Sequence, residues 1–119
     1  MSRRRGPQSL SERTAALQGR RMPGGAKTWY DVATEEATRE GALIGAVLTR
    51  RTPAAVRARH AAWLRLRAAG YSTPEIGAGW GFDPGTVLEA VGETARSRRA
   101  NEGAPVGAYD VAADLENIF

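Results

Sequence analysis

The chain has 119 residues, no cysteine, one histidine and a net charge of +4. Without cysteine there is no disulfide framework and no cysteine-ligated metal site, and one histidine cannot form a histidine cluster. No apolar run approaches the roughly 18 residues that a membrane span needs. The arginine-rich N-terminus lacks the apolar segment of a signal peptide. We therefore expect a cytoplasmic protein that does not contact a membrane.

Charge is unevenly distributed along the chain. Residues 1–27 carry +6, residues 28–52 carry −1, residues 53–100 carry +3 and residues 101–119 carry −4. The two basic regions favour a polyanionic partner. The acidic tail should repel DNA, and it is suited to binding a protein or shielding the basic surface.

Residues 1–27 contain few large apolar side chains and close with a Pro-Gly-Gly turn signal. This composition predicts a basic disordered arm, with one short helix near Ser11–Arg20. Two roles fit such an arm: contact with DNA phosphates or the minor groove, and solubilisation of the protein.

Residues 28–100 predict a single helical domain, and its first element is a helix over residues 29–51. Acidic residues crowd the first half of this helix and basic residues its end, as the helix dipole favours. Gly41 and Gly45 weaken its interior, yet their spacing would let another helix approach. The segment is therefore either one core helix of the domain or the contact of a homo-oligomer.

The next helix is predicted from Pro53 to Ala69, with Thr52 as its cap and Gly70 past its end. We expect Trp63 to face inward. The arginines do not fit that apolar face, so we expect the following on the surface: Arg57, Arg59, Arg65 and Arg67.

Four of the arginines around the start of this helix form a dense basic corner in the sequence. They are Arg50, Arg51, Arg57 and Arg59. We interpret this corner as a contact for DNA phosphates, and a solvated face is the alternative. His60 beside it is expected to be a half-buried core histidine.

A helix-turn-helix is predicted over residues 72–95. Ser72 and Glu75 have the spacing of a capping box, Gly81 ends the first helix, and Asp83 caps the second. The second helix should bury Val87, Ala90 and Val91 and expose Pro84, Gly85, Thr86, Glu89, Gly92 and Glu93.

Several runs between residues 48 and 96 share the spacing of a known domain. They are Arg50-Arg51-Thr52, Val56-Arg57-Ala58-Arg59-His60, Ser72-Thr73-Pro74-Glu75-Ile76-Gly77, Gly81-Phe82-Asp83 and Thr86-Val87-Leu88-Glu89-Ala90. Together they resemble the C-terminal DNA-binding domain of the bacterial replication initiator DnaA, of the Trp-repressor-like helix-turn-helix group. The family motif Arg-Asp-His-Thr/Ser-Thr is Phe82-Asp83-Pro84-Gly85-Thr86 here.

The resemblance implies that the four arginines of the basic corner hold the DNA backbone and minor groove. It also implies that Asp83 and Thr86 lie at the major groove. With the exposed positions of the second helix, the candidate DNA-binding residues are Arg50, Arg51, Arg57, Arg59, Asp83, Gly85, Thr86 and Glu89.

Residues 101–119 predict a linker followed by an acidic amphipathic tail. Val111, Leu115 and Ile118 lie on one helical face, which would dock in a partner's groove or fold back on the domain. This tail is the expected contact for a protein partner.

The sequence thus predicts an all-α protein of four to five helices, with a disordered basic arm and an acidic tail. No nucleophile–base pair, phosphate-cradling glycine loop or acidic metal cluster stands out, so we expect neither enzymatic activity nor a cofactor. The expected function is duplex DNA binding by a regulator or accessory replication factor of a bacterium, phage or plasmid. The alternatives are a phage DNA-packaging subunit similar to small terminase subunits, and a helix-turn-helix used to bind protein.

Overall fold

A computed structural model describes residues 9–103, with side-chain burial and contacts for residues 9–97. This part of the chain is helical, which confirms the predicted all-α class. It has no strand element, and one isolated bridge joins Arg21 to Thr28. The helices are α1 (Leu10–Gln18), α2 (Trp29–Glu40), α3 (Ile44–Thr49), α4 (Pro53–Ala68), α5 (Thr73–Trp80) and α6 (Pro84–Gly103).

The structure folds much of the segment that was predicted to be a disordered arm. Ser9 and Glu12 form a capping box that starts α1, and Leu17 on this helix is fully buried in the core. The loop to α2 is closed by backbone hydrogen bonds, one from the Trp29 amide to the Arg20 carbonyl at 2.8 Å. Residues 9–27 are therefore part of the folded unit, and residues 1–8 lie outside the described residues.

The prediction of a single helix over residues 29–51 is wrong, because α2 ends with Gly41 as its C-cap and α3 begins at Ile44. This glycine has φ 71°, in the left-handed region, and its amide donates to the Ala37 and Thr38 carbonyls as a helix C-cap. The apolar face on either side of the break lies inside the core, with Val32 and Val47 both fully buried. Leu43, in the connection between the two helices, is 81% exposed, and the homo-oligomer contact through this segment stays a prediction.

Helix α4 is the central element, and it contacts α2, α3, α5 and α6. Its start is as predicted, with the Thr52 hydroxyl accepting from the Ala55 amide and Pro53 in the first turn. Fully buried alanines at 55, 58 and 62 give it a smooth face that neighbouring helices approach closely. Trp63 faces inward as predicted and is 0% exposed.

The helix-turn-helix forms as its capping signals predict. Ser72 and Glu75 make the reciprocal capping box, and Gly81 ends α5 at φ 79°. A Cβ on Gly77 would lie 2.5 Å from the Phe82 carbonyl oxygen, so only glycine allows the turn to pass this close.

Two aromatic residues of the helix-turn-helix pack edge-to-face on α4. The ring of Trp63 lies 5.8 Å from that of Trp80 and 5.1 Å from that of Phe82. These two contacts hold the turn against the central helix, because Trp63 and Trp80 are buried and Phe82 is half-buried.

Helix α6 continues to Gly103, beyond the linker that was predicted to begin at Asn101. Residues 101–103 are helical in the structure, so that boundary was wrong. The acidic amphipathic tail lies outside the described residues. Within residues 9–103, no helix has the length and apolar character needed to span a bilayer.

Candidate nucleic-acid interface

The basic corner is built around the loop between α3 and α4. Arg50 has extended backbone dihedrals (φ −110°, ψ 172°), and its side chain and that of Arg51 are exposed. Neither forms a salt bridge with a carboxylate of residues 9–97. Two exposed guanidinium groups therefore lie in this loop without a salt bridge to a carboxylate of residues 9–97.

Arg59 was predicted to be an exposed phosphate contact, and the structure corrects this. It is 3% exposed. Its Nε donates to the Val47 carbonyl at 3.3 Å, and its Nη1 donates to the Arg50 carbonyl at 3.0 Å. These carbonyls belong to the C-terminal end of α3, where unpaired acceptors and the helix dipole favour a cation. Arg59 is therefore a structural residue that positions the basic loop.

The same guanidinium joins the basic loop to the helix-turn-helix. The Cζ of Arg59 lies 4.9 Å from the centre of the Phe82 ring, in a cation–π contact. The pKa of Arg59 is lowered, first by burial and then by the nearby charges of Arg13 and Arg51. Arg59 thus links the arginine loop to the turn that precedes α6.

Arg13 is a further basic residue at this place, and the sequence analysis missed it. Its Nη1 donates to the Trp80 carbonyl at 2.8 Å, and its Cζ lies 5.5 Å from the Phe82 ring. The capping box of Ser9 and Glu12 signals a helix that contains Arg13. A contact across 67 positions of the chain has no local signal.

The start of α6 follows the Phe82 ring that Arg13 and Arg59 contact, and it is exposed. The Gly85 amide donates to the Asp83 carboxylate at 3.0 Å, so Asp83 is the cap that was predicted. Val87 and Ala90 are buried, and Thr86 and Glu89 are exposed as predicted. The side of α6 that was predicted to be exposed, with Thr86 and Glu89, therefore faces solvent in the structure.

One apolar residue on that surface was not anticipated. Leu88 is 62% exposed, between Thr86 and Glu89 in sequence. The periodicity that buries Val87 places its neighbour about 100° around the helix, so the signal was present. Thr86 and Leu88 point about 200° apart, so they lie at opposite edges of the exposed surface of α6, with Glu89 between them.

Arg57 does not belong to this interface. Residues two apart on a helix point about 200° apart, so Arg57 and Arg59 lie on different sides of α4. The Nε of Arg57 donates to Glu40 at 2.8 Å in a salt bridge. The pair lines a cleft of about 480 Å³ together with His60, Glu93, Thr94 and Ser97.

His60 stacks on Trp63 at a ring distance of 5.5 Å, and it is half-buried as predicted. Its pKa is lowered mainly by burial and also by the charge of Arg59, while Glu93 acts in the opposite direction. The neutral imidazole is thereby favoured. Among the residues that the structure describes, no group of three or more potential ligands could hold a metal ion.

Arg65 was predicted to be exposed, but it is half-buried between α2 and α4. It donates to Glu35 at 2.9 Å and to Glu36 at 3.1 Å. Glu36 is 1% exposed, so this carboxylate needs the guanidinium as its partner. The pKa of Glu35 is lowered, first by its hydrogen bond with Lys27 and also by Arg65. This network holds α2 and α4 together.

Comparison of the chain with protein-family models, curated proteins and solved structures finds no match. The resemblance to the DNA-binding domain of the replication initiator therefore stays a prediction. What defines the candidate interface is its geometry: two exposed arginines, a buried arginine that links them to the turn, and the exposed start of α6.

Proposed function

We propose that this protein is a non-enzymatic, helix-turn-helix protein that binds duplex DNA, as a regulator or accessory replication factor. The observation that carries the proposal is the link through Arg59, whose guanidinium donates to the Arg50 carbonyl and lies over the Phe82 ring just before α6. A helix that follows a helix-turn-helix corner fits the major groove, and uncompensated arginines beside it fit the phosphates that flank the groove.

In this proposal the two arginines supply most of the affinity. Neutralising phosphates releases counterions, and this contribution does not depend on base sequence. Arg59 does not touch DNA, but its hydrogen bond to the Arg50 carbonyl fixes the loop that carries the pair. Asp83 caps α6 and places one negative charge at its start, so the helix N-terminus is a weaker anion site than its dipole alone would make it.

Base discrimination rests on few groups of α6. Thr86 can donate to a base edge or contact a thymine methyl group, and Leu88 can contact a thymine methyl group. Glu89 can accept a hydrogen bond from cytosine, but its charge opposes the phosphates. Modest sequence preference over a strong, salt-sensitive background is therefore expected.

The test is fluorescence anisotropy on a labelled duplex over a series of salt concentrations. Replacing Arg50 and Arg51 by glutamine removes two exposed charges without touching the core. Because each phosphate contact contributes about 0.9 to the slope of log K against log salt, the slope should flatten by about 1.8. Arg57→Gln is the matched control, since this arginine is exposed, lies outside the interface and is paired with Glu40. A wild-type chain that does not bind duplex at low salt would refute the proposal.

A second function is favoured by the chemistry of the exposed α6 surface. Leu88 is exposed next to Glu89 in the sequence, and an apolar and an acidic side chain on one helix suit a protein partner with apolar and basic groups. Glu89→Gln separates the two functions. It should raise the affinity for random duplex if α6 enters DNA, whereas loss of binding to a basic protein partner would favour the protein-interaction function.

A further inference from the structure

A second basic surface lies beside the loop between α4 and α5 and extends along α5. Its members are exposed and come from two separate parts of the chain: Arg20, Arg21 and Arg67. Tyr71 joins these parts, since its hydroxyl donates to the Arg21 carbonyl at 2.6 Å across 50 positions. The sequence analysis placed Arg20 and Arg21 in a disordered arm and gave Arg67 no role.

Each of the three guanidinium groups is held in place without a salt bridge. Arg21 donates to the Gly25 carbonyl at 2.8 Å, and Arg67 donates to the Tyr71 carbonyl at 2.8 Å. The Cζ of Arg20 lies 5.1 Å from the Trp29 ring. Among residues 9–97, no carboxylate forms a salt bridge with any of them. Their charge is thus fixed in position and still available to a partner.

One acidic residue moderates this surface. Glu75 is exposed near Arg20, and its pKa is lowered by its hydrogen bonds with Ser72 and by that guanidinium. Since Glu75 is ionised at neutral pH and its carboxylate accepts from the Ser72 amide, it completes the helix cap. Three arginines and one glutamate leave a net charge of +2, which favours an anionic partner.

We propose that Arg20, Arg21 and Arg67 form a second contact for the phosphate backbone of duplex DNA. This inference rests on the proposed function and extends it. Helix α5 has 8 residues, and at 1.5 Å per residue it is about 12 Å long. Arg67 donates to Tyr71 just before this helix, and the Phe82 ring that Arg59 contacts lies just after it, whereas Arg20 lies along the helix against Gly79. The separation of Arg67 from the arginine loop is thus comparable to the major groove width of about 12 Å. The two surfaces thus contact the phosphates on the two sides of one groove.

The experiment uses the 119-residue chain and a labelled duplex in a salt series. Arg21→Gln with Arg67→Gln removes two charges whose partners are surface carbonyls, so the fold should be retained, as circular dichroism would verify. The slope of log K against log salt should flatten by about 1.8, at 0.9 per contact. Arg21→Lys with Arg67→Lys keeps the charges and should restore the wild-type slope. Arg39→Gln, an exposed arginine of α2, is the control that should change nothing.

The outcomes separate this inference from the proposed function. If the glutamine variant keeps the wild-type slope while the variant of Arg50 and Arg51 flattens it, the second contact is refuted and DNA binding stands. If both pairs leave the slope unchanged, both proposals fail. If the lysine variant flattens the slope as much as glutamine does, the effect comes from altered structure rather than charge, and the second contact is again refuted.

Discussion

Arg59→Ala is the most informative single substitution, because Arg59 was predicted to be on the surface and is buried in the structure. Arg59→Ala removes a guanidinium that donates to the Val47 and Arg50 carbonyls and lies over the Phe82 ring. If Arg59 were a surface phosphate contact, the substitution would weaken DNA binding and leave stability unchanged. The structure predicts a large loss of stability instead.

The magnitude follows from the contacts. A hydrogen bond to a charged group contributes about 1.5–3 kcal/mol, and a desolvated cation–π contact contributes about 2 kcal/mol. Burial opposes these gains, and the lowered pKa of Arg59 expresses that opposition. We therefore expect a loss near the lower end, about 3 kcal/mol. At about 4–8 °C per kcal/mol for a domain of this size, the Tm should fall by roughly 12–24 °C.

The assay is urea unfolding followed by circular dichroism and tryptophan fluorescence, with Arg57→Ala as the control. Arg57 is two positions away, its side chain is 61% exposed, and its salt bridge with Glu40 should be worth only about 0.2–1 kcal/mol. Arg59→Lys keeps the charge but loses the planar fork, so its stability should lie between those of the wild type and the alanine variant. The reasoning is refuted if Arg59→Ala unfolds within 0.5 kcal/mol of the wild type (about the scatter of surface substitutions) or is more stable than Arg57→Ala.

Three further substitutions test the packing of the helices, and one titration tests the cleft. Trp80→Ala should cost about 3–5 kcal/mol and leave the domain unfolded at 37 °C, and a cooperative melt above that temperature would contradict the packing. Gly77→Ala should cost about 1–3 kcal/mol because its Cβ would meet the Phe82 carbonyl. Gly92→Ala, with only a flexible side chain nearby, should gain about 0.5–1 kcal/mol, and equal effects at the two glycines would be inconsistent with the turn. An NMR titration of His60 should give a pKa below its ordinary value of 6.5, because burial disfavours the charged imidazolium. The contribution of His60 to stability is therefore present above pH 6.5 and lost as the pH falls. A measured pKa above 6.5 would contradict the burial of this side chain.

The helix-turn-helix could be predicted because its signals are local. The capping box of Ser72 and Glu75, the turn at Gly81 and the cap at Asp83 each involve residues within four positions of one another. Such signals depend on hydrogen bonds between neighbouring side chains and backbone groups, so they need no contact with distant parts of the chain.

Gly41 is visible in the sequence, but it was interpreted as a weak point inside one helix rather than as the end of a helix. A glycine in a helical pattern either weakens the helix or ends it in the left-handed conformation, and tertiary packing decides between these outcomes. Here the apolar residues before and after Gly41 pack into one core, which a straight helix would prevent.

Arg59 shows where charge was given too much weight against periodicity. It lies four positions after Ala55 and three before Ala62, on the stripe that the structure buries. Its burial is tolerated because carbonyls at the end of α3 accept its protons, and those partners are 12 and 9 positions away. The sequence shows the stripe, but only the three-dimensional structure shows the acceptors.

The most direct test of the central claim is an NMR titration of the isotopically labelled chain with a duplex at low salt. The account predicts that the largest amide shifts fall on residues 50–52 and 83–89, and that raising the salt concentration reverses them. Shifts confined to the cleft around His60, or no shifts at concentrations well above the non-specific Kd of about 10⁻⁴–10⁻⁶ M, would contradict DNA binding by this surface.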